Sequence, residues 1–237
     1  MNHLRALVIR QEEEALSLAK ALTAKGVEPY LCPLFKPFFL PCPSLENPQG
    51  LIITSKNALR ALEEREELKQ LPLYVVGDQT AQFAKNRGFK TVFSSSGTSK
   101  ELLFLILQKA ARTNGTLWHL SGDVVRGDIV ETLKTEGFQA QRHIIYHIKE
   151  VDDLPSSLIS DIQQQKMSHV LFFSPRTTDV FINLLEKNGL EKMASSITSL
   201  CLSQNVVERA RCLDWKKIWV SPRPTVQGMI GYFNEKQ

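Results

Sequence analysis

The sequence predicts an α/β protein with two similar parallel-sheet lobes. Short apolar runs such as LIIT (51–54) and VLFF (170–173) are continuous, which is typical of strands buried on both faces of a sheet. Each run ends in small or polar residues, and a helical pattern follows it. The same strand-to-helix plan returns in the second half of the chain, so two related α/β domains are expected.

The first strand and helix belong to a block, A, that occupies residues 7–35 and returns at residues 120–146. In the first copy the helix carries apolar residues on one face and glutamates in its first turn, where carboxylates suit the helix dipole. A glycine follows each helix where a helix-ending residue is expected. One constant offset pairs Leu18 with Ile129, Leu22 with Leu133 and Gly26 with Gly137.

A second block, B, holds three strand-to-helix units and occupies about residues 51–107 and again 170–233. Its strands begin at LIIT, YVVG and VFSS in the first copy and at VLFF, LCLS and IWVS in the second. The order A-B-A-B allows two pairings. A tandem pairing makes domains of about residues 1–107 and 115–237, whereas a crossed pairing inserts the middle B and A into a discontinuous first domain.

Two extended segments favour the crossed pairing. The first, LFKPFFLPCPSLENPQG (34–50), is rich in proline and is not expected to form a helix. The second, IIYHIKEVDDLP (144–155), follows the second A block and begins with the alternation of a strand. Both stand where the chain would pass between the lobes. We expect them to pair as a narrow ladder that keeps Pro37, Pro41 and Pro43 at its edges.

Small and polar residues stand at the strand ends. In a parallel sheet, strand carboxyl ends and helix N-termini share one edge, and unpaired amides there attract anions. Each hydroxyl taken singly is explained as a helix N-cap. Taken together, the residues predict a cleft rich in amide and hydroxyl donors for a ligand with several carboxylates or phosphates. They are Ser55, Thr80, Gly97, Thr98, Gly122, Ser174, Ser203 and Thr225.

Composition excludes several classes of partner. Lys plus Arg is 29 against 25 Asp plus Glu, and the net charge of +4 comes without a basic run, so no nucleic-acid partner is expected. No apolar run approaches the length of a membrane span, and no secretory apolar segment precedes Arg5. The 4 cysteines form no CxxC pair, which indicates a reducing, cytoplasmic location and no metal site.

Motifs for common cofactors are absent from the sequence. There is no GxGxxG, no GxxxxGK[ST] and no GxSxG, so neither dinucleotide binding, P-loop nucleotide binding nor a nucleophile elbow is indicated. The 5 histidines form no HxxH or HExxH pattern. We therefore expect no cofactor.

Five stretches, in order, resemble uroporphyrinogen-III synthase: LVIRQEEEALSLAKALTAKGVEPYLCPLF, LIITSKNALRAL, YVVGDQTAQFAKNRGF, HLSGDVVRGDIVETLKTEGF with the later IIY, and LFFSPRTTDVF. The resemblance runs from about residue 4 to residue 233 and favours the crossed pairing. It implies a discontinuous first domain (1–35 and 151–237), an inserted second domain (41–142), and two interdomain connector strands (36–40 and 143–150).

The resemblance also implies an activity, that of a lyase in haem and tetrapyrrole biosynthesis. The family cyclises the linear tetrapyrrole hydroxymethylbilane, with loss of water and inversion of ring D, to give uroporphyrinogen III. It needs no metal or organic cofactor and acts largely as a monomer. The acetate and propionate arms of this substrate suit the donor-rich cleft that the strand ends predict.

Site residues follow from the resemblance at matching positions. Tyr146 matches the family's tyrosine on the return segment. The resemblance implies that it is the general acid that protonates the departing hydroxyl, since a phenol stays protonated at neutral pH. The alternative is a tyrosine that packs between the lobes. Thr80, Ser55 and Ser174 match corner residues that bind substrate. Arg10 matches the family's arginine, although a helix cap or a structural salt bridge explains it equally well.

The sequence departs from the family pattern at several positions, so the resemblance assigns fewer contacts to the carboxylates of the substrate. Gln11 stands where a proline often follows the arginine, Ser121 replaces an arginine, and residues 203–206 lack threonines found in some members. Arg126 either reaches a carboxylate or is solvated. The alternative function is a non-catalytic, two-lobed cytoplasmic protein that binds a polycarboxylate ligand, and turnover of hydroxymethylbilane separates the two.

Overall fold

The computed structural model describes residues 4–62, 65–95, 97–125 and 127–234, apart from the side chains of Glu12 and Glu13. Arg126 and the first two glutamate side chains of the A helix therefore lie outside the described residues. The strands are β1 (Arg5–Val8), β2 (Glu28–Leu31), β3 (Phe35–Phe39), β4 (Pro48–Ile53), β5 (Leu73–Val76), β6 (Val92–Ser95), β7 (Thr116–Gly122), β8 (Gln139–Glu150), β9 (His169–Phe172), β10 (Thr198–Cys201) and β11 (Lys217–Val220).

Helices follow most of these strands. In chain order they are α1 (Glu12–Thr23), α2 (Lys56–Arg60), α3 (Asp78–Asn86), α4 (Ser99–Lys109), α5 (Ile129–Thr135), α6 (Ser156–Gln163), α7 (Pro175–Lys187), α8 (Gln204–Ala210) and α9 (Val226–Gly231), with 3₁₀ turns at Glu66–Gln70 and Glu191–Ser196. Within the described ranges, no helix combines the length and the apolar character needed to cross a bilayer.

One compact unit comprises Met1–Lys36 and Glu150–Gln237. Its sheet has the order β11-β10-β9-β1-β2, with every neighbouring pair parallel. Leu7 of β1 packs into a core with α6, α7 and α8, whereas Ala6 and Val8 pack into the opposite core with α1 and α9. The strand is thus buried on both faces, as a continuous apolar run predicts.

The other compact unit comprises Pro37–Lys149, and its sheet has the order β3-β8-β7-β4-β5-β6. The strands β4 to β8 pair in parallel. Leu51 and Ile53 face the core formed with α2 and α3, and Ile52 faces the core formed with α4 and α5. The proline-containing β3 is an edge strand beside β8, where the missing N–H of Pro37 breaks no ladder on its outer side.

The predicted fold class, α/β with parallel sheets, is confirmed. The strand β8 is continuous over Gln139–Glu150, so it includes both the expected domain end at 142 and the expected connector at 143–150. The reason is pairing: Gln139–Arg142 already lie opposite Thr116–His119 of β7. That each unit is an independent domain stays a prediction.

Candidate active site

The carboxyl edge of the first sheet holds four of the predicted site residues. Arg10 follows β1, Ser174 follows β9, Ser203 follows β10 and Thr225 lies a short loop beyond β11. Because these strands are parallel, the four residues lie along the same edge of their sheet.

Three of these residues make the local contacts expected of caps and salt bridges. Ser174 Oγ accepts a hydrogen bond from Thr177 N–H at 3.2 Å, and Thr225 Oγ1 accepts one from Gly228 N–H at 3.0 Å. Arg10 Nη2 lies 2.6 Å from Glu14 Oε2, and its guanidinium stacks 4.3 Å from the ring centroid of Phe173.

Ser203 occupies the N-cap position of α8, yet its side chain makes no capping hydrogen bond within the described part of the chain. The hydroxyl at this corner is therefore not committed to the helix end. Whether Ser203 binds substrate stays a prediction.

The carboxyl edge of the second sheet holds the remaining predicted residues. Ser55 Oγ accepts from Asn57 N–H at 3.2 Å, and Thr98 forms a capping box with Glu101. Thr80 lies in the first turn of α3 and is buried, with 8% of its surface exposed. Gly97 has a φ of 144°, a conformation that side-chain-bearing residues rarely adopt.

The structure brings two of the predicted residues, Gly122 and Tyr146, into contact. The register of β7 and β8 pairs Ser121 with Ile144 and then Gly122 with Tyr146, so Ile145 is an extra residue, a β-bulge. A Cβ added at Gly122 would lie 2.8 Å from two carbons of the Tyr146 ring. Only glycine therefore leaves room for this ring.

Tyr146 itself is 8% exposed and belongs to the core beneath α2 and α3. The ring thus packs within its own unit. Among the described residues, the phenol oxygen has no hydrogen-bond partner.

Three residues near Tyr146 escaped the sequence analysis. Arg142 Nε donates to Ser121 Oγ at 2.8 Å, and its Nη2 donates to the carbonyls of Gly122 and Asp123 at 2.6 and 2.7 Å. His147 Nδ1 lies 3.2 Å from Asp123 Oδ2, and this hydrogen bond lowers the pKa of the Asp123 carboxyl group. No spacing in the sequence marks these contacts, since they join separate strands.

A groove of about 720 Å³ on the same unit is lined by residues of β7, α5 and β8, among them Arg142 and His119. His119 is 3% exposed, and burial lowers the pKa of its imidazole to about 4, with the nearby Arg142 charge acting in the same direction. The imidazole is therefore neutral at physiological pH. Across the described ranges, no group of three or more His, Cys, Asp and Glu side chains is placed to hold a metal ion.

A family model described as uroporphyrinogen-III synthase HemD matches residues 17–231. The fold is similar to uroporphyrinogen-III synthetase from Helicobacter pylori, at 15% identity and a TM-score of 0.57, covering 100% of each chain. A mutant uroporphyrinogen III synthase from Thermus thermophilus matches at 13% identity and a TM-score of 0.44, covering 99% of this chain and 100% of that one. No curated protein matches the sequence.

The parallel sheets, with hydroxyl and amide donors at the carboxyl ends of their strands, define the class as an α/β protein. The family match spans most of the chain, and the chain belongs to the uroporphyrinogen-III synthase family. This family consists of cyclising lyases of tetrapyrrole biosynthesis. The activity predicted from the sequence, closure of a linear tetrapyrrole to uroporphyrinogen III, is therefore confirmed at the level of the family.

Proposed function

We propose that this chain closes hydroxymethylbilane to uroporphyrinogen III at the strand-end edges described above, with Tyr146 as the proton donor. The observation that carries the proposal is the placement of Tyr146. A β-bulge puts its ring against Gly122 at the carboxyl end of β7, and its hydroxyl has no partner among the described residues.

The first chemical step is loss of water. The C–O bond of the terminal hydroxymethyl group breaks, the oxygen leaves as water with a proton from Tyr146, and the pyrrole supplies the electron pair. A tyrosine side chain can act as this general acid because its neutral hydroxyl carries a proton before the reaction begins. Loss of water leaves an azafulvenium ion, the N-protonated azafulvene, which needs no further activation by the protein. Tyr146 regains its proton when the carbon that closes the macrocycle loses its hydrogen and the pyrrole becomes aromatic again.

The second requirement is position. Ring D must attack through its substituted carbon, so that a spiro intermediate forms, fragments and closes again with the ring inverted. Holding reacting atoms in the productive geometry is worth several orders of magnitude in rate. The candidates for holding the substrate's carboxylate arms are Arg10, Ser55, Thr80, Gly97, Thr98, Gly122, Ser174, Ser203 and Thr225.

We also propose that the protein is cytoplasmic and acts as a monomer. In support, all four cysteines, Cys32, Cys42, Cys201 and Cys212, are free thiols, as expected in a reducing compartment. Burial raises the pKa of the Cys32 thiol to about 11, which keeps it protonated and unreactive. Sedimentation at micromolar concentration tests the monomer, because a dimer would sediment at twice the chain mass of 26.8 kDa.

The experiment that tests the activity is turnover of freshly generated hydroxymethylbilane, followed by oxidation and chromatographic separation of the isomers. Without an enzyme the bilane closes to the uninverted isomer I, so this chain should shift the product to isomer III. Isomer I alone, formed at the rate in buffer, would replace this proposal with a protein that binds a polycarboxylate without catalysis.

A further inference from the structure

The segment at the end of β7 is fixed by β8 from both sides of Tyr146. Four residues before the tyrosine, Arg142 reaches the segment; one residue after it, His147 contacts Asp123. Between these two attachments lies the bulge that re-aims the tyrosine ring. A bulge interrupts the regular ladder, so the geometry there depends on side-chain contacts rather than on repeated backbone bonds.

The bulge is visible in the burial of two consecutive residues. Ile145 and Tyr146 both belong to the core under α2 and α3, although neighbouring residues of a regular strand face opposite sides of the sheet. The tyrosine ring therefore shares a side with Ile145 only because the extra residue is accommodated. A straightened strand would turn Tyr146 away from its present neighbours.

Arg142 is bound to this segment by three hydrogen bonds from one guanidinium group. Its acceptors are Ser121 Oγ at 2.8 Å, Gly122 O at 2.6 Å and Asp123 O at 2.7 Å, which are three successive residues of the β7 end. A planar fork with fixed donor directions restrains all three at once, whereas an ammonium group offers a single point of charge. The middle acceptor belongs to Gly122, the residue under the tyrosine ring.

We propose that Arg142 is a positioning residue for Tyr146: by fixing Ser121, Gly122 and Asp123 it fixes the surface on which the tyrosine ring lies and hence the direction of its hydroxyl. The inference rests on the proposed role of Tyr146 as proton donor. Arg142 acts on the chemistry through Gly122, and no contact with the substrate is assigned to it.

The test begins with Arg142→Gln, which removes the fork and the charge. We expect the kcat for uroporphyrinogen III to fall between about 10- and 100-fold, the cost of a misplaced catalytic group, with little change in KM. Arg112→Gln is the matched control. Arg112 Nε also donates to a backbone carbonyl, that of Glu136 at 2.7 Å, but at the opposite end of α5, and its loss should leave kcat unchanged.

A double-mutant cycle with Tyr146→Phe separates positioning from general destabilisation. If Arg142 acts through the phenol, Arg142→Gln should slow the wild-type enzyme but have little further effect in the Tyr146→Phe background. Equal losses in both backgrounds, or an Arg142→Gln enzyme as fast as wild type, would overturn the inference. Arg142→Lys makes the same comparison if the glutamine variant does not fold, since lysine keeps the charge without the three-way fork.

The two proposals fail differently. A silent Tyr146→Phe variant removes the proton-donor role, and the positioning role of Arg142 falls with it. A slow Tyr146→Phe variant combined with additive effects of Arg142→Gln removes only the positioning role. Isomer I as the sole product of the wild-type chain removes the activity itself.

Discussion

At the scale of single residues, capping a helix and binding a carboxylate are compatible tasks for one hydroxyl. At Ser55 the side-chain oxygen accepts a hydrogen bond from Asn57 N–H. Acceptance uses a lone pair and leaves the hydroxyl proton free to donate elsewhere. The two interpretations that the sequence left open for the corner serines therefore do not exclude one another, and mutations can separate them.

Tyr146→Phe should lower the rate of uroporphyrinogen III formation by about 10²–10⁴-fold, the usual contribution of a general acid, while leaving product affinity nearly unchanged. Some activity should remain, because positioning of the bilane does not depend on the hydroxyl. The measurement is single-turnover kinetics beside product titration. Tyr74→Phe is the control: Tyr74 is buried in β5 of the same unit, stacked on Phe93, away from the strand ends. Equal rates for the two variants would place the acid elsewhere.

Ser55→Asp should raise KM by about tenfold or more, because a carboxylate would replace the hydroxyl that we propose donates to the anionic arms of the substrate. Its free energy of unfolding should stay close to that of wild type, since aspartate caps a helix as well as serine does. Ser55→Ala should raise KM and also lose about 1 kcal/mol of stability with the cap. Urea unfolding and initial rates measure the two effects, and wild-type KM in the aspartate variant would remove Ser55 from the site.

His119 should make the protein less stable in mild acid. Its imidazole has a pKa near 4 in the folded chain and near 6.5 when unfolded, so the unfolded state binds more protons between these values. The stability that depends on the neutral ring is complete above about pH 6.5 and is lost as the pH falls toward 4, about 3 kcal/mol in all. Urea unfolding at pH 7.5 and 5.0 should show a smaller difference for His119→Gln than for wild type. An equal difference would assign the acid sensitivity to other groups.

At the scale of elements, apolar runs and turn residues predict most of the sheet strands, because buried parallel strands depend on local composition. Their ends are less well predicted. The strand expected to start at Leu51 starts at Pro48. Proline is tolerated at the first position of a strand, where its missing N–H breaks no ladder, so a proline-rich stretch does not by itself exclude strand.

The candidate site also has a part that the sequence predicts and a part that it does not. Caps and strand-end glycines leave a mark in the sequence, since each depends on residues within a few positions. No sequence pattern predicts the bulge at Ile145 or the contacts of Arg142 and His147 with residues 121–123. They depend on which residue of β7 faces which residue of β8, and a shift of one position would separate them.

At the scale of the whole molecule, the chain enters the second unit once and returns once. The sheet of the first unit draws β1 and β2 from the start of the chain and β9 to β11 from its end. This composition supports the crossed pairing of blocks as a proposal for the domains. A fragment that ends at residue 142 would lack the part of β8 that carries Ile145 and Tyr146. Both residues belong to a core of the second unit, so a fragment of that unit should extend beyond residue 142.

A fragment of residues 37–149 should unfold cooperatively in urea, followed by circular dichroism, whereas a fragment of residues 1–107 should not. The first fragment contains every strand from β4 to β8 with both core layers. The second contains β1 without β9 and β4 without β7, its neighbours in the sheets. A cooperative transition in the 1–107 fragment alone would favour the tandem pairing.

The backbone N–H of Arg5 donates to Ser168 Oγ, a residue 163 positions later in the chain. On a ribosome that adds about 5–20 residues per second, roughly 10–30 s separate the two. During that interval α1 has been synthesised, but β9, which pairs with β1, and α9, which shares a core with α1, do not yet exist. The inserted unit, by contrast, is complete as soon as β8 leaves the exit tunnel. Synthesis from the amino terminus thus leaves an apolar face of the first helix and strands uncovered for this interval, and a chaperone can bind such a face.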